Sequence, residues 1–436
     1  MSGRKVLFVH CSDLHLDSPF SGLSDISPSL GGKLRKATFQ AFQNAVTYAI
    51  RKSADFFTVS GDVFDGEDRS IRAQLFFTEQ IKRLSDAGIP VFIARGNHDP
   101  ISGWEAEIDL PPLAARFGGE VESRTLLLDG ETSVTVHGCS FPVRDVTENL
   151  ALRFGGRRKE GVNVALLHCN VGGRPGHENY APCSLDDLKR AGMDCWALGH
   201  VHGAEILSLD PLVLYPGNIQ GRNARETGTK GVYAVTVLPP SGALPARCSS
   251  EFIPCDAIRW RKEKIAIEGM SREGDFIRAV EELRESVRDE MSGTPAILQI
   301  VLSGRGKMHG VLRRPGFLFG PGSLLESLNA GEEEREDFVL LQGFSGLTSP
   351  ALDAAALSRG DHLVGDFLKE ILAFEARGSL VPGLLEILDG MGIMDKFVHR
   401  EVLSRIESLS DADAASIVDN AASLALDGLI RGDDCP

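Results

Sequence analysis

The chain has 436 residues, more than one ordinary hydrophobic core holds, so two or three domains are expected. Its hydrophobic content of 42% and charged content of 25% are typical of globular proteins and exclude wholesale disorder. Residues 1–260 carry 27 Lys and Arg against 30 Asp and Glu, and residues 261–436 carry 19 against 31. A chain without a basic stripe is not expected to grip nucleic acid by itself.

The apolar runs and the cysteines indicate the cellular compartment of the protein. No apolar run approaches the roughly 20 residues of a membrane helix, and the apolar part of the N-terminus is too short for a secretory signal. The eight cysteines form no CxxC pair, which argues against a zinc ribbon and a disulfide framework. We therefore expect a cytoplasmic protein with reduced, mostly buried thiols and no membrane attachment.

From residue 4 to about 240, short β-branched runs alternate with helical stretches. Between the first two runs, Leu34, Ala37, Ala41, Ala45 and Tyr48 recur at three- and four-residue spacing and predict a helix. This alternation predicts βαβ units, arranged as a mixed sheet or a two-sheet sandwich. The predicted strands are KVLFVH, ADFFTVS, PVFIA, SVTVHG, NVALLH, DCWALG, VLYPGN and GVYAVTVL.

The pattern changes after a Pro-, Gly- and Ser-rich stretch at 238–250, which we interpret as a linker. A strand, the charged helix REGDFIRAVEELRESVRDEM and AILQIVLSGRG then predict a small β-α-β unit. The acidic end reads as helical, with Phe367, Ile371 and Phe374 on one face that either binds a partner or packs on its own domain. The predicted domains are 1–245, 251–345 (a small α+β accessory or capping domain) and 350–436 (helical).

Most predicted strands of the first part end in Asp, Asn or His. Asp13 and His15 follow the first strand, and their two-residue spacing puts both side chains on one face if strand geometry persists. Sites in open α/β sheets form beyond the carboxyl ends of strands, so we expect the strand-end side chains to meet at one rim. The other strand ends carry Asp62, Asp65, Asn97, His98, Asp99, His168, His200 and His202.

Each of these residues also has an ordinary structural explanation. Asp is common in turns and helix caps, His168 can be a buried strand histidine, and His200 and His202 can belong to a turn. Their occurrence together at five strand ends favours a metal site. Glycines before Asp62, Asn97 and His200 fit sharp turns beside a ligand.

The residue types indicate the chemistry of such a site. Carboxylate, carboxamide and imidazole donors without a thiolate favour Mn²⁺, Fe or Zn²⁺, and the share of oxygen donors favours Mn²⁺. The set is too large for one ion and fits two ions about 3.5–4 Å apart, which clamp the oxygens of a phosphoester displacement. Asp62, in the middle of the set, is the natural bridging carboxylate.

The motifs DLHLD, GDVFD, GNHD, a lone His after a strand and GHVH resemble those of calcineurin-like metallophosphoesterases. The resemblance spans residues 4 to about 240 and implies an α/β fold, a four-layer αββα sandwich of two mixed sheets flanked by helices. HCSDLHLDSPFSGL, GGRPGHENYAPCSLDDL, WALGHVH and YPGNIQGRNARETGTKG are similar to the SbcD-type DNA repair exonucleases, particularly their YhaO-like members. The resemblance therefore implies a metal-dependent DNA exonuclease.

Carried over position by position, the resemblance implies two metal ions that share one carboxylate. His98 would lie beside the scissile phosphate and stabilise the transition state or protonate the leaving oxygen. We interpret Asp17 and Asp65 as groups that orient ligands or cap a helix. The ligands of the first metal would be Asp13, His15, Asp62 and His202. Those of the second would be Asp62, Asn97, His168 and His200.

The resemblance also implies DNA as substrate, a homodimer, and an SMC-like coiled-coil ATPase of the SbcC type that docks on the C-terminal part. Arg222 and Arg225 either contact substrate phosphates through their forked guanidinium groups or belong to a surface turn. The basic run RFGGRRKE at 153–160 is either a solvated loop or a DNA backbone contact. His137 and His177 are interpreted as structural.

Two other functions stay open. A small-molecule or nucleotide phosphodiesterase or phosphatase can use the same metal centre, and the nearly neutral charge of residues 1–260 favours it. A regulatory scaffold would bind metal and a partner without turnover, and the presence of His98 speaks against it.

Overall fold

In the computed structural model the chain is described over residues 4–18, 20, 28–65, 70–104, 106, 108–174, 178–351, 363–375 and 380–391, and at scattered positions between 402 and 425. The strands of the first part are β1 Val6–Cys11, β2 Phe56–Ser60, β3 Val91–Ala94, β4 Ala114–Arg116, β5 Glu122–Leu128, β6 Thr132–Cys139, β7 Val162–His168, β8 Cys195–Gly199, β9 Glu205–Leu209, β10 Leu212–Tyr215, β11 Gly231–Leu238 and β12 Arg247–Pro254. The later strands are β13 Arg259–Ala266, β14 Ala296–Ser303 and β15 Val339–Gly346.

The helices are α1 Pro28–Arg51, α2 Ile71–Asp86, α3 Leu185–Arg190, α4 Glu273–Met291, α5 Met308–Leu312, α6 Leu324–Asn329, α7 Leu363–Glu375 and α8 Leu380–Met391. Short 3₁₀ turns lie at Leu150–Phe154 and Glu332–Glu334. None of the helices in the described ranges is long and apolar enough to cross a membrane.

Two six-stranded mixed sheets form the centre of the first part. The first has the order β12-β11-β1-β2-β3-β4, with β1 to β4 parallel and β11 and β12 antiparallel. The second has the order β5-β6-β7-β8-β10-β9, with antiparallel strands β5 and β9 at its edges. Parallel neighbours align their carboxyl ends, so each sheet presents several strand ends along one edge.

Buried apolar side chains hold the layers of this part together. Phe8 and Phe56 of the first sheet stack with ring centroids 4.7 Å apart, in one cluster with Leu166 and Ala197 of the second. Helices α1 and α2 cover the outer face of the first sheet, and α3 with the 3₁₀ turn Leu150–Phe154 covers the second. The α/β prediction of a four-layer αββα sandwich is therefore confirmed.

The predicted linker at 238–250 is wrong in its last four residues. Residues Arg247–Pro254 form β12, which pairs with β11 from Leu238 opposite Arg247 to Gly231 opposite Pro254. The error has a physical cause: β12 is an edge strand whose residues alternate between exposed and half-buried positions, so it is as polar as a linker.

The chain divides into two compact units. The first comprises Met1–Arg261, Arg288–Ile297 and Gly331–Leu340, and it contains both large sheets. The second comprises Lys262–Val287, Leu298–Ala330 and Leu341–Pro436. Strands β13, β14 and β15 form a third sheet in that order, and α4 follows β13 as the β-α-β pattern predicts. The domain boundaries 1–245, 251–345 and 350–436 stay a prediction.

In the C-terminal helices the Phe374 ring of α7 lies against Gly383 of α8. Part of the predicted apolar face is thus used inside this region, while Phe367 and Ile371 are half-buried. The cysteines among the described residues are free thiols, all buried except the half-buried Cys248, as expected for reduced cysteines.

Candidate metal centre

Five loops meet at one rim of the two sheets, after strands β1, β2, β3, β7 and β8. The predicted metal ligands on these loops are buried, apart from His202, whose side chain is 24% exposed. In chain order they are Asp13, His15, Asp62, Asn97, His168, His200 and His202. The structure therefore brings together side chains that lie up to nearly two hundred residues apart in the sequence, such as His15 and His202.

Three overlapping groups of donor atoms lie at this rim: Asp13 with His15 and His202, Asp13 with Asp62 and His168, and His15 with Asp65 and His98. In the first, His15 Nε2 lies 3.3 Å from His202 Nε2, and His202 Nε2 lies 3.9 Å from Asp13 Oδ1. In the second, His168 Nε2 lies 3.4 Å from Asp62 Oδ2 and 2.9 Å from Asn97 Oδ1. Asp62 Oδ2 is also 4.0 Å from His15 Nε2, so its carboxylate lies between these two groups. The bridging role of Asp62 stays a prediction.

His200 is held differently from the other histidines. Its backbone N–H donates to both carboxylate oxygens of Asp13, at 3.2 and 3.1 Å, and its Nε2 lies 2.7 Å from the Glu178 carbonyl oxygen. Its ring packs edge-on against His168 at 5.2 Å. With Nε2 beside that carbonyl, His200 can act as a ligand only through Nδ1.

The backbone of the first loop corrects the argument from strand spacing. Strand β1 ends at Cys11, and Asp13 and His15 have left-handed φ angles of 51° and 42°. Their backbone N–H groups donate to Gly61 and Asp62 carbonyl oxygens at 3.1 and 3.0 Å. The two side chains are brought to the site by this turn, and strand geometry does not persist. Such conformations cost about 1–3 kcal/mol each and need support from their surroundings.

At Gly96, in the loop after β3, the neighbouring ligand side chains leave no room for a Cβ atom. A Cβ on Gly96 would overlap the Asp62 carboxylate and the His168 imidazole. Gly96 immediately precedes Asn97, as expected for a backbone that passes close to ligands.

Ionised carboxylates make the centre electronegative. Burial alone would raise the pKa of Asp62, but the charge and the hydrogen bond of His168 outweigh burial and lower it. The pKa of Asp13 is likewise lowered by His168 and His202 against the effect of burial. Burial lowers the pKa of His168, yet the charge of Asp62 raises it to about 9. Here a proton on His168 offsets the carboxylate charge, the task that a divalent cation performs in a metal site.

Two further imidazoles, those of His15 and His200, have the state that metal ligation requires. Burial lowers the pKa of His15 to about 4, and that of His200 to about 4. Both rings are therefore neutral near pH 7, and a neutral imidazole is the ligating form. Buried ionised carboxylates beside neutral imidazoles fit divalent cations.

The second nitrogen of each ligand imidazole faces an acceptor. His168 Nδ1 lies 2.9 Å from the Ser60 carbonyl oxygen, and His202 Nδ1 lies 2.9 Å from Glu226 Oε1. His15 Nδ1 is 3.5 Å from Asp65 Oδ1 and makes no hydrogen bond within the described residues. Such acceptors fix the ring tautomer and orientation. The sequence analysis did not identify Glu226 as a site residue. The one signal was its position four residues after the candidate Arg222, with which it forms an ion pair.

His98 lies beside the donor groups. Its Nδ1 is 2.8 Å from Asp65 Oδ1, its backbone N–H donates to Asp62 Oδ1 at 2.9 Å, and its side chain is 32% exposed. The contacts of the Asp65 carboxylate with the His15 and His98 imidazoles hold the pKa of Asp65 well below its usual range. Asp17 accepts a 2.6 Å hydrogen bond from Ser70, the N-cap of α2. These positions agree with orienting and capping roles for the two carboxylates.

The predicted basic contacts are placed less favourably. Arg222 is 14% exposed and turned toward carboxylates, while Arg225 is exposed on the same loop. The run at 153–160 precedes β7, whereas His168 ends β7, so about 20 Å of strand separates the run from the rim. Arg153 pairs with Glu120 and Glu148, and Arg158 pairs with Asp194.

The two histidines interpreted as structural have different outcomes. His137 lies in β6 and bonds Asn163 Oδ1 at 3.1 Å and Ser123 Oγ at 2.9 Å, as a structural residue does. His177 lies outside the described residues.

Comparisons with known proteins agree with a phosphoesterase site at this rim. Residues 6–204 match the family model for calcineurin-like phosphoesterases, and residues 260–344 match the middle domain of metallophosphoesterase YhaO. The uncharacterized metallophosphoesterase YhaO of Bacillus subtilis is 34% identical over 334 residues, 76% of this chain and 79% of that protein. This chain belongs to the calcineurin-like phosphoesterase family. The family prediction is confirmed, and with it the metal-dependent hydrolase class and its dinuclear divalent metal centre.

This metallophosphoesterase is also similar to archaeal proteins. It is 26% identical to the DNA double-strand break repair protein Mre11 of Sulfurisphaera tokodaii, over 47% of this chain and 51% of that one. It is 28% identical to Mre11 of Aeropyrum pernix, over 51% of this chain and 56% of that one. The chain spans about half the length of these two relatives.

Asp99 ties the second and third loops of the rim together. Its carboxylate accepts the backbone N–H groups of Asp62, Val63 and Gly96 at 3.0, 3.1 and 2.7 Å. Asp99→Ala leaves three buried donors unpaired, at about 1–3 kcal/mol each, so we expect the free energy of unfolding to fall by about 3 kcal/mol or more. Urea denaturation measures this loss. The matched control is Asp86→Ala at an exposed position of α2, and equal stabilities of the two variants would contradict the assignment.

Proposed function

We propose that this metallophosphoesterase is a dinuclear, Mn²⁺-dependent DNA exonuclease that hydrolyses phosphodiester bonds in DNA repair. The observation that carries the proposal is the convergence of two donor groups on the Asp62 carboxylate, with His98 beside them. The first metal would be held by Asp13, His15, Asp62 and His202. The second would be held by Asp62, Asn97, His168 and His200.

The residues of the chain would divide the work of phosphoester hydrolysis. When bound, the two ions supply Lewis-acid stabilisation of the phosphoryl oxygens and an activated water. Burial lowers the pKa of His98, but the hydrogen bond with Asp65 and the charge of Asp62 raise it above its ordinary value. A protonated His98 whose Nδ1 is bonded to Asp65 can donate from Nε2 to the phosphate or to the leaving oxygen.

DNA as the substrate is supported by the relatives rather than by charge. The Mre11 proteins are named for double-strand break repair, and their similarity covers about half of this chain. Manganese is supported by the donor set, which mixes carboxylate, carboxamide and imidazole groups without a thiolate. We also propose that the protein works in the cytoplasm, since the cysteines among the described residues, including Cys169 and Cys183 with sulfurs 3.8 Å apart, are unbridged.

A small-molecule or nucleotide phosphodiesterase is the second candidate. It is favoured by one specific observation: the dense basic run at 153–160 lies at the strand end opposite the rim. Without that run, DNA would have to be gripped by exposed residues such as Arg225, by a second copy or by a partner.

Degradation of end-labelled linear DNA tests the proposal. With purified protein we expect product in Mn²⁺, less in Mg²⁺ and none in EDTA. Asp62→Asn removes the shared charge and should abolish product, while His98→Gln should slow it by about 10²-fold or more through loss of the proton donor. The matched control Asp86→Asn changes an exposed carboxylate and should keep full activity.

Hydrolysis of bis(p-nitrophenyl) phosphate in the same reactions separates the two candidates. A wild type that cleaves this diester but not DNA would select the small-substrate function. Activity that survives in Asp62→Asn would contradict the metal centre itself.

We further propose the homodimer that the resemblance implies. Its support is an apolar patch on α2, where Ile71 and Leu75 are 57% and 55% exposed beside the edge-on pair of Phe39 and Phe76.

Leu75→Glu would place a charge in an interface formed by this patch. Light scattering should then report the dimer mass for the wild type and the monomer mass for Leu75→Glu. Leu127→Glu, at a 65% exposed position of β5, should stay dimeric. A wild type of monomer mass would contradict the proposal.

The resemblance also suggests an SMC-like coiled-coil ATPase of the SbcC type as partner. Phe367 and Ile371 on α7 are the half-buried apolar side chains that such a partner would cover. Loss of co-purification in Phe367→Asp would support this docking site, and undiminished co-purification would contradict it.

A further inference from the structure

The guanidinium of Arg222 joins two carboxylates at the candidate metal centre. Its Nη1 lies 3.5 Å from Asp65 Oδ2, and its Nη2 lies 3.5 Å from Glu226 Oε1. Nη1 is also 3.4 Å from Ser18 Oγ. Both terminal nitrogens thus face acceptors of the chain itself, and the side chain is only 14% exposed. Its Nε–H is buried without a hydrogen-bond partner among the described residues, so what keeps this guanidinium from a substrate phosphate is its burial and its inward orientation.

The same two carboxylates contact the two imidazoles of the first donor group. Glu226 Oε1 lies 2.9 Å from His202 Nδ1, and Asp65 Oδ1 lies 3.5 Å from His15 Nδ1. A carboxylate hydrogen-bonded to Nδ1, as Glu226 is at His202, keeps the proton there and leaves Nε2 as the ligating atom. At His15 the Asp65 carboxylate faces Nδ1 from 3.5 Å without a hydrogen bond and favours the same tautomer electrostatically. The two Nε2 atoms lie 3.3 Å apart at the centre. The positions of the carboxylates therefore decide where both imidazoles present their ligating nitrogens.

Glu226 and Asp65 need a cation between them. Glu226 is fixed on its other oxygen by the Arg222 backbone N–H at 2.7 Å and by Asn218 Nδ2 at 2.9 Å. Asp65 is fixed by Ser18 Oγ at 2.8 Å and His98 Nδ1 at 2.8 Å. Both carboxylates are negative and both lie 3.5 Å from the same guanidinium, and a planar guanidinium with several donors can serve two acceptors at once.

We propose that Arg222 is a positioning residue of the first metal site: it holds Asp65 and Glu226 so that His15 and His202 present Nε2 to the cation. Arg222 is then not a contact to substrate phosphate, while Arg225, exposed on the same loop, keeps that predicted role. The inference rests on the proposed function for the identity of the first metal's ligands.

Calorimetric titration of the apoprotein with Mn²⁺ tests this role directly. The full chain is stripped with EDTA, and the wild type is compared with Arg222→Gln, Arg222→Lys and Arg225→Gln. Arg222→Gln should weaken the binding of one of two ions by about tenfold, the usual size of such orienting effects. Arg222→Lys should lose less, because an ammonium group can still pair with one carboxylate. Arg225→Gln should bind Mn²⁺ as the wild type does.

A kinetic experiment distinguishes positioning from phosphate contact. With Arg222→Gln, cleavage of bis(p-nitrophenyl) phosphate should fall at low Mn²⁺ and recover at high Mn²⁺, with KM for DNA and its salt dependence unchanged. A residue that contacts phosphate would instead change the slope of log KM against log salt by about one unit. Arg124→Gln, an exposed arginine of β5 paired with Glu122, is the control with unchanged activity.

The outcomes separate the positioning role of Arg222 from the proposed nuclease activity. Equal Mn²⁺ affinities in the wild type and Arg222→Gln, with a raised KM for DNA, would overturn the inference and leave the proposed nuclease intact. A wild type that binds Mn²⁺ and cleaves the small diester but not DNA would refute the nuclease, and the Mn²⁺ titration would still decide the role of Arg222. If Arg222→Gln melts well below the wild type, Arg222→Lys carries the test, and a wild-type affinity in that variant together with an altered salt slope would overturn the inference.

Discussion

Buried negative charge at one rim is the constraint on which the rest of the structure depends. Asp13 and Asp62 are almost completely buried, and their pKa values stay low because imidazoles face them. A pair of carboxylates in such a place is costly unless cations or donors surround it. Neighbouring side chains and loops are arranged to meet this cost: histidines face the carboxylates, and backbone N–H groups donate to Asp13 and Asp62.

The αββα sandwich brings the loops of the rim together and holds their backbones in place. Parallel strands deliver several loops to one edge of each sheet, and facing sheets bring two such edges together. The stacked layers then support backbone conformations that a free loop would avoid, including the left-handed residues Asp13, His15 and Asp62. Asp99 links two of these loops by three hydrogen bonds to backbone N–H groups. Left-handed residues also occur elsewhere, as at Ser53 and Ser292, but three of the predicted metal ligands in the loops after β1 and β2 adopt this conformation.

Much of this could be predicted from sequence because the ligand side chains lie directly at strand ends. The strands and helix α1 have strong local patterns, and the rim follows from the rule that parallel strands align their ends. The left-handed turn at Asp13 and His15 could not be read from two-residue spacing, because it is fixed by hydrogen bonds to the loop after β2. Edge strand β12 was not predicted because its exposed positions are polar and its sequence resembles a linker.

Other features depend on contacts between distant segments. The pairing of Glu226 with His202, and of Arg222 with Asp65, joins loops that no sequence pattern connects. The position of the basic run at 153–160 is a different case. It stands before β7, and His168 stands after it, so strand direction alone was enough to place the run at the far end.

The central claim is that Asp62 is shared by two metal ions. Electron paramagnetic resonance of the Mn²⁺-loaded protein, combined with a count of bound manganese, measures this most directly. The account predicts two ions per chain and a spin-coupled spectrum, with the coupling lost in Asp62→Asn. One ion per chain, or two ions with the spectrum of isolated Mn²⁺, would contradict it.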